Sequence, residues 1–170
     1  MVRKSLFSLA VLFLSACGFT PLYLATDGSN IADKSPYVNI TPMQNYDGYK
    51  ISGHLRDKLN PEKKHVTPLY DLSVKVDSIR YTDQSIQDNN FMTRQKTDMV
   101  VSYQMKDRST GKTLINAKTH AVGSYNITNN PYANTVEQQK DLENLYKTVA
   151  DNISTHVMTY LKSQEEPLES

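Results

Sequence analysis

A single thiol stands at Cys17 in this chain of 170 residues, directly after Leu14, Ser15 and Ala16. A thiol can attack, ligate a metal, pair with a second thiol or accept a lipid. No second cysteine exists, so no disulfide closes within one chain. The four histidines stand at 54, 65, 120 and 156, with no His-Glu-x-x-His pair to hold a metal. No Gly-x-Ser-x-Gly elbow is present, and six glycines build no phosphate-cradling loop. The carboxylates are scattered rather than paired in apolar settings, so no general acid and base can be nominated. The expectation is a protein without catalysis, metal or cofactor, whose most specific chemical group is Cys17.

The residues around Cys17 say what that thiol is for. Arg3 and Lys4 open the chain, residues 6–14 are apolar apart from Ser8, and small residues lead to the cysteine. That order is an export signal. The apolar run covers nine positions, whereas a helix needs roughly 20 to span a bilayer. Leu14-Ser15-Ala16-Cys17 resembles the bacterial lipobox. The resemblance implies that residues 1–16 are a cleaved signal peptide and that Cys17 becomes the first residue, carrying an S-diacylglycerol and an N-palmitoyl chain. Gly18 follows it, and a residue other than Asp at that place implies passage to the outer membrane.

Composition bounds the rest. Without Arg3 and Lys4, 17 basic residues face 18 acidic ones. A near-neutral balance gives no sign of nucleic-acid binding. Residues 17–36 read as a lipidated tether, broken by Pro21, Asp27-Gly28 and Pro36. Within it, the apolar stretch 19–24 suits either lipid packing or docking on a partner. Residues 37–162 are long enough for one α/β domain with its own core, and 163–170 form an acidic tail expected to be disordered.

The domain's elements follow from periodicity. Residues 37–41 are β-branched and aromatic between Pro36 and Pro42, a short strand. Ile51, Leu55 and Leu59 recur every fourth position, one face of a helix over 45–59 that Asn60-Pro61 ends. Gly53 within it suggests a close approach to the sheet. Over 69–81, Tyr70, Leu72, Val74 and Val76 alternate with polar residues, but Ile79 and Tyr81 resume on odd positions. One extra residue between 76 and 79, a β-bulge, would cause that slip. Residues 83–90 read as a polar turn. Alternation returns over 93–106 with Met99, Val101, Tyr103 and Met105, and the turn 107–112 folds the chain back into a strand over 113–125. Small residues on that strand, Ala117, Ala121 and Gly123, leave room for a helix. The last helix shows apolar residues at spacings of three and four from Val136 to Leu161, with Glu137, Asp141 and Glu143 early, as the helix dipole prefers. The order β-α-β-β-β-α predicts an α+β two-layer sandwich: two helices on one face of a mixed, mainly antiparallel four-stranded sheet.

Several of these residues resemble, in order and spacing, the LPS-assembly lipoprotein family, LptE. They are Cys17-Gly18-Phe19-Thr20-Pro21-Leu22-Tyr23, Thr93-Arg94, Tyr103-Gln104-Met105, Thr110-Gly111, Ser124-Tyr125-Asn126 and Asn130-Pro131-Tyr132-Ala133, followed by the 141–161 helix. The resemblance implies a non-enzymatic lipoprotein of the outer membrane, facing the periplasm. Its partner would be the β-barrel translocon LptD, whose lumen it plugs, and it would contact lipopolysaccharide. On this resemblance Arg94 takes the family's basic position, and Lys96 lies on the same strand face two residues on. The alternative for both is a solvated strand-edge charge, a common defence against edge pairing. Auxiliary lipoproteins of ABC-type lipid transport systems, and structural envelope lipoproteins, are the alternatives the residues leave open.

Overall fold

The structure, a computed structural model, describes residues 35–43, 45–86 and 92–164. The signal peptide 1–16, Cys17, the tether up to residue 34 and the tail from residue 165 lie outside the described residues. After a 3-10 turn at Ser35–Tyr37 come strand β1 (Val38–Ile40), helix α1 (Tyr46–Leu59), strands β2 (Tyr70–Ile86), β3 (Met92–Asp107) and β4 (Thr113–Asn126), and helix α2 (Pro131–Ser163). The strands lie in the order β1-β2-β3-β4, with β1 parallel to β2 and the other pairs antiparallel. Two helices cover one face of this mixed sheet, as the element order predicts.

The register slip in β2 is where the alternation breaks: Val76 pairs with Val101, and the ladder resumes at Ser78 opposite Val100. That irregularity returns Ile79 to the helix-covered face. β2 also runs further than its pattern, to Ile86, so residues 83–86 are strand rather than turn. They pair with β3 through two further register shifts, beyond the stretch where one face is buried.

Side-chain caps fix both helix starts. Asn45 accepts from Gly48 N at 2.9 Å, and Asn130 accepts from Tyr132 N and Ala133 N at 3.1 and 3.3 Å. Pro131 sits in the first turn, where its missing N–H is no loss. Helix α2 therefore begins five residues before Val136; that first stretch is exposed or half-buried and carries no apolar stripe to announce it.

One core joins the layers. Ile51, Leu55 and Leu59 of α1 and Leu145, Val149, Ile153, Val157 and Leu161 of α2 pack on Leu72, Val74, Met99, Val101 and Met105. Each such side chain removed from water contributes about 1.5–3 kcal/mol. The glycine reading needs correction. A Cβ on Gly53 would meet open space, whereas one on Gly48 would stand 2.6 Å from the Met43 Cβ. Close approach thus occurs in the first turn of α1, against the chain that leads into it, and not at the sheet. Among the described residues, no helix is long and apolar enough to cross a membrane.

Candidate functional site on the open face of the sheet

Strand alternation divides β3 between two faces. Thr97, Met99, Val101, Tyr103 and Met105 point under the helices and are buried. Arg94, Lys96 and Asp98 therefore share the opposite, uncovered face. In the register, Lys96 stands between Thr82 of β2 and Ser124 of β4, and Asp98 stands opposite Arg80. Both sequence-predicted basic residues thus lie on one polar surface, near the tip of the β2–β3 hairpin.

Their environments differ. Arg94 is exposed, and its Nε and Nη2 donate to the Ser124 hydroxyl at 3.2 and 2.6 Å. A guanidinium has five N–H donors, so this anchoring across to β4 leaves donors directed elsewhere for an anionic or carbonyl group. Lys96 is half-buried and its ammonium lies 2.9 Å from the Asp98 carboxylate. Recruiting Lys96 to an outside anion would first mean breaking that pair.

Apart from Val100 and the exposed Val122, much of the rest of the open face is a polar lattice. Asp77 accepts from the Ser102 hydroxyl at 3.0 Å and pairs with Lys118 at 3.3 Å. The Ser102 bond chiefly holds the Asp77 carboxyl below its ordinary range, outweighing partial desolvation, with Lys118 and Lys75 assisting. Asn39 donates to Asp71 at 2.7 Å, and Asp71 pairs with Arg108 at 3.0 Å. Such a face is built to meet water, or a polar wall, without losing hydrogen bonds.

The covered face holds polar groups that the sequence pattern missed. The Tyr103 hydroxyl and His156 Nδ1 lie 2.6 Å apart, and the two rings meet edge-on at 5.9 Å. Burial raises the Tyr103 phenol above its ordinary range. His156 thus partners a core tyrosine. Asp141, expected as a dipole-matching surface acid, is buried, and its Oδ2 has no hydrogen-bond partner among the described residues. The same holds for the Thr97 hydroxyl. The available sequence signal was Gly123, which pairs with Thr97 in the ladder and admits the Asp141 carboxylate.

Between the helices, Glu143 joins His54 at 2.9 Å and Lys50 at 3.2 Å. Desolvation pushes the Glu143 carboxyl up, but the His54 and Lys50 hydrogen bonds and charges bring it below its ordinary range. Lys50 is raised in turn by the Glu143 hydrogen bond. The candidate lipid attachment, Cys17, lies outside the described residues.

No family model matches the chain, and no curated protein sequence matches it. Solved structures do. A candidate lipoprotein from Caulobacter crescentus CB15 superposes with a TM-score of 0.63 at 19% identity, over 78% of this chain and 96% of that one. The rare lipoprotein B from Shewanella oneidensis gives 0.61 at 14% identity, over 76% and 97%. A minor lipoprotein from Acinetobacter baumannii gives 0.51 at 15% identity, over 72% and 88%. At these identities the likeness is one of fold: the described domain folds as those bacterial lipoproteins do.

Proposed function

We propose that this protein is a lipid-anchored outer-membrane lipoprotein of the LptE type. In this reading it partners an LptD-like β-barrel in the assembly of lipopolysaccharide at the outer membrane, as plug and assembly factor without catalysis. The observation that carries the reading is a conjunction. A lipobox-like Leu14-Ser15-Ala16-Cys17 precedes a domain whose fold is shared with the Shewanella rare lipoprotein B. The open face supports it further. Outer-membrane barrels of the channel type have polar interiors, and a sheet face laced with Asp77, Ser102, Lys118, Asp71 and Arg108 matches such a lumen. Arg94, anchored on Ser124, is the side chain best placed to meet an anionic lipopolysaccharide group.

The test is affinity purification of the acylated protein from detergent-solubilised outer membranes. Recovery of a large β-barrel protein in stoichiometric amount is expected. Recovery of an ABC-transporter or tunnel component, with no barrel, would overturn the reading.

A further inference from the structure

The end of the fold opposite the hairpin tip is basic, although the secreted chain as a whole is near neutral. Here α1 ends, the 60–68 loop follows, and the 107–112 turn closes the β3–β4 hairpin. The three parts are tied together: Leu69 N donates to Tyr37 O at 2.8 Å, and Arg108 N to Leu69 O at 3.0 Å. Lys64 pairs with Glu62 and Arg108 with Asp71. Arg56, Lys63 and Lys112 are exposed and, among the described residues, make no ion pair. Asp107, the acidic group of the turn, keeps its negative charge but turns its Oδ1 to the Ser109 and Thr110 N–H groups and hydroxyls, so the cations of this end outnumber its acids without being alone there.

The loop that presents these charges is built rather than loose. Asn60 Oδ1 accepts from Lys64 N at 2.8 Å, and its Nδ2 donates to Lys64 O at 2.9 Å. That clasp holds Lys63 at a φ of 51°, in the left-handed region that favours glycine. A lysine is kept where backbone preference asks for glycine. Behind it lies a cleft of about 560 Å³ lined by the apolar Val38, Ile40 and Leu59, with the basic Arg56, Lys63 and Lys64 and the acidic Asp57 also on its lining. Cations rimming an apolar hollow fit the boundary between lipid headgroups and acyl chains.

The chain enters the described fold at Ser35, beside this same end, 18 residues after Cys17. We propose that the end formed by the 60–68 loop and the 107–112 turn docks on anionic phospholipid headgroups of the bilayer that holds the anchor. That orientation rests on the lipid-anchor reading of Cys17; the affinity for anionic headgroups does not. Such a surface would seat the domain on the bilayer until it enters a barrel, with Arg94 at the end of the sheet away from the headgroups.

The test uses the whole secreted chain, residues 17–170, with Cys17→Ser so that no acyl chain contributes. It is sedimented with vesicles of phosphatidylcholine alone or containing phosphatidylglycerol. Binding is expected only with phosphatidylglycerol, falling as salt rises, and weakening about fivefold for each Lys63→Glu or Lys112→Glu change. Lys63→Gly separates charge from folding: it should weaken binding while leaving the melting temperature equal or higher. Equal sedimentation with both vesicles overturns the proposal. So does unchanged binding by a folded Lys63→Glu, Lys112→Glu chain, or binding that needs removal of the acidic residues 165–170. Mass spectrometry of the unmodified sequence reads Cys17 acylation separately. Absent acylation with intact vesicle binding would remove the anchor and keep the surface.

Discussion

The Asp141 carboxylate occupies the space that a side chain on Gly123 would need. An ideal Cβ on Gly123 would stand 2.1 Å from its Oδ1 and 2.7 Å from its Cγ. Asp141 is buried, so it has little room to swing aside. Gly123→Ala should therefore cost about 1–3 kcal/mol in urea unfolding. Asp141→Ala in the same chain should recover part of that loss, a coupling that a double-mutant cycle reads directly. Simple additivity of the two changes would show that the contact is not what makes glycine necessary there.

Tyr146, midway along α2, ties that helix to the first turn of α1. Its ring is buried, and its hydroxyl donates to Asp47 Oδ1 at 2.5 Å. Desolvation, and then the Asp47 bond, push its phenol well above the ordinary tyrosine range. Tyr146→Phe keeps the packing and removes the donor, so a loss of about 1.5–3 kcal/mol is expected for a bond to a charged acceptor. An unchanged urea midpoint would mean that water replaces the hydroxyl at no cost.

Asp107 sets an acid limit. Its Oδ1 accepts from Ser109 N, Ser109 Oγ, Thr110 N and Thr110 Oγ1 at 2.9, 2.6, 2.8 and 3.1 Å. These bonds, the Ser109 hydroxyl first, hold its pKa at about 2, below the ordinary 3.8. A depressed carboxyl stabilises the fold fully above the unfolded value, and the contribution is lost as pH falls through the folded value. The β3–β4 turn should therefore loosen between about pH 4 and pH 2. Amide exchange at Thr110 and Gly111 would report it, and Asp107→Asn should flatten that dependence.

Arg94→Asp places a negative charge beside Ser124 on an exposed surface. Stability should change by no more than about 0.5 kcal/mol, while recovery of the barrel partner or binding of lipopolysaccharide falls. Lys96→Asp should give a smaller functional loss, because Lys96 is already engaged by Asp98. Binding and co-purification that survive Arg94→Asp would remove Arg94 from the site.

Cys17→Ser should abolish incorporation of labelled palmitate and leave only a salt-sensitive membrane association, so that the protein is released from membranes in high salt. The melting temperature of the domain should stay the same, since Cys17 precedes the first described residue by 18 positions. A domain that unfolds on this change would show that the thiol serves packing rather than anchoring.

The parts of the fold that were legible in the sequence are those where one face of an element is buried along its length. The alternation of Leu72, Val74, Met99, Val101 and Met105 gave the strands, and its slip after Val76 located an irregularity in β2. Where the apolar periodicity stops, the elements run on: β2 continues through 83–86 by its pairing with β3, and α2 begins at the Asn130 cap, before Val136. Gly53 misled because a glycine marks a close approach without naming the neighbour, and Gly48 was the one that needed it. The buried roles of Asp141 and His156 were not legible because their partners, Gly123 and Tyr103, lie on strands distant in the chain. Of the candidate site, Arg94 and Lys96 were placed on one face by period alone, but the engagement of Lys96 by Asp98 was not foreseeable from it.

The shortness of β1 has a consequence for how copies of this molecule treat one another. β1 covers β2 only from Tyr70 to Leu72, so from Ser73 onward the outer edge of β2 has no strand beside it among the described residues. A long bare edge is a template for joining sheets between molecules. Here the irregularity between Val76 and Ser78 bends that edge, and the exposed Lys75, Asp77, Arg80 and Asp83 stud it with charge of both signs. The same residue that shifts the core-facing phase of β2 therefore also guards the domain against edge-to-edge aggregation.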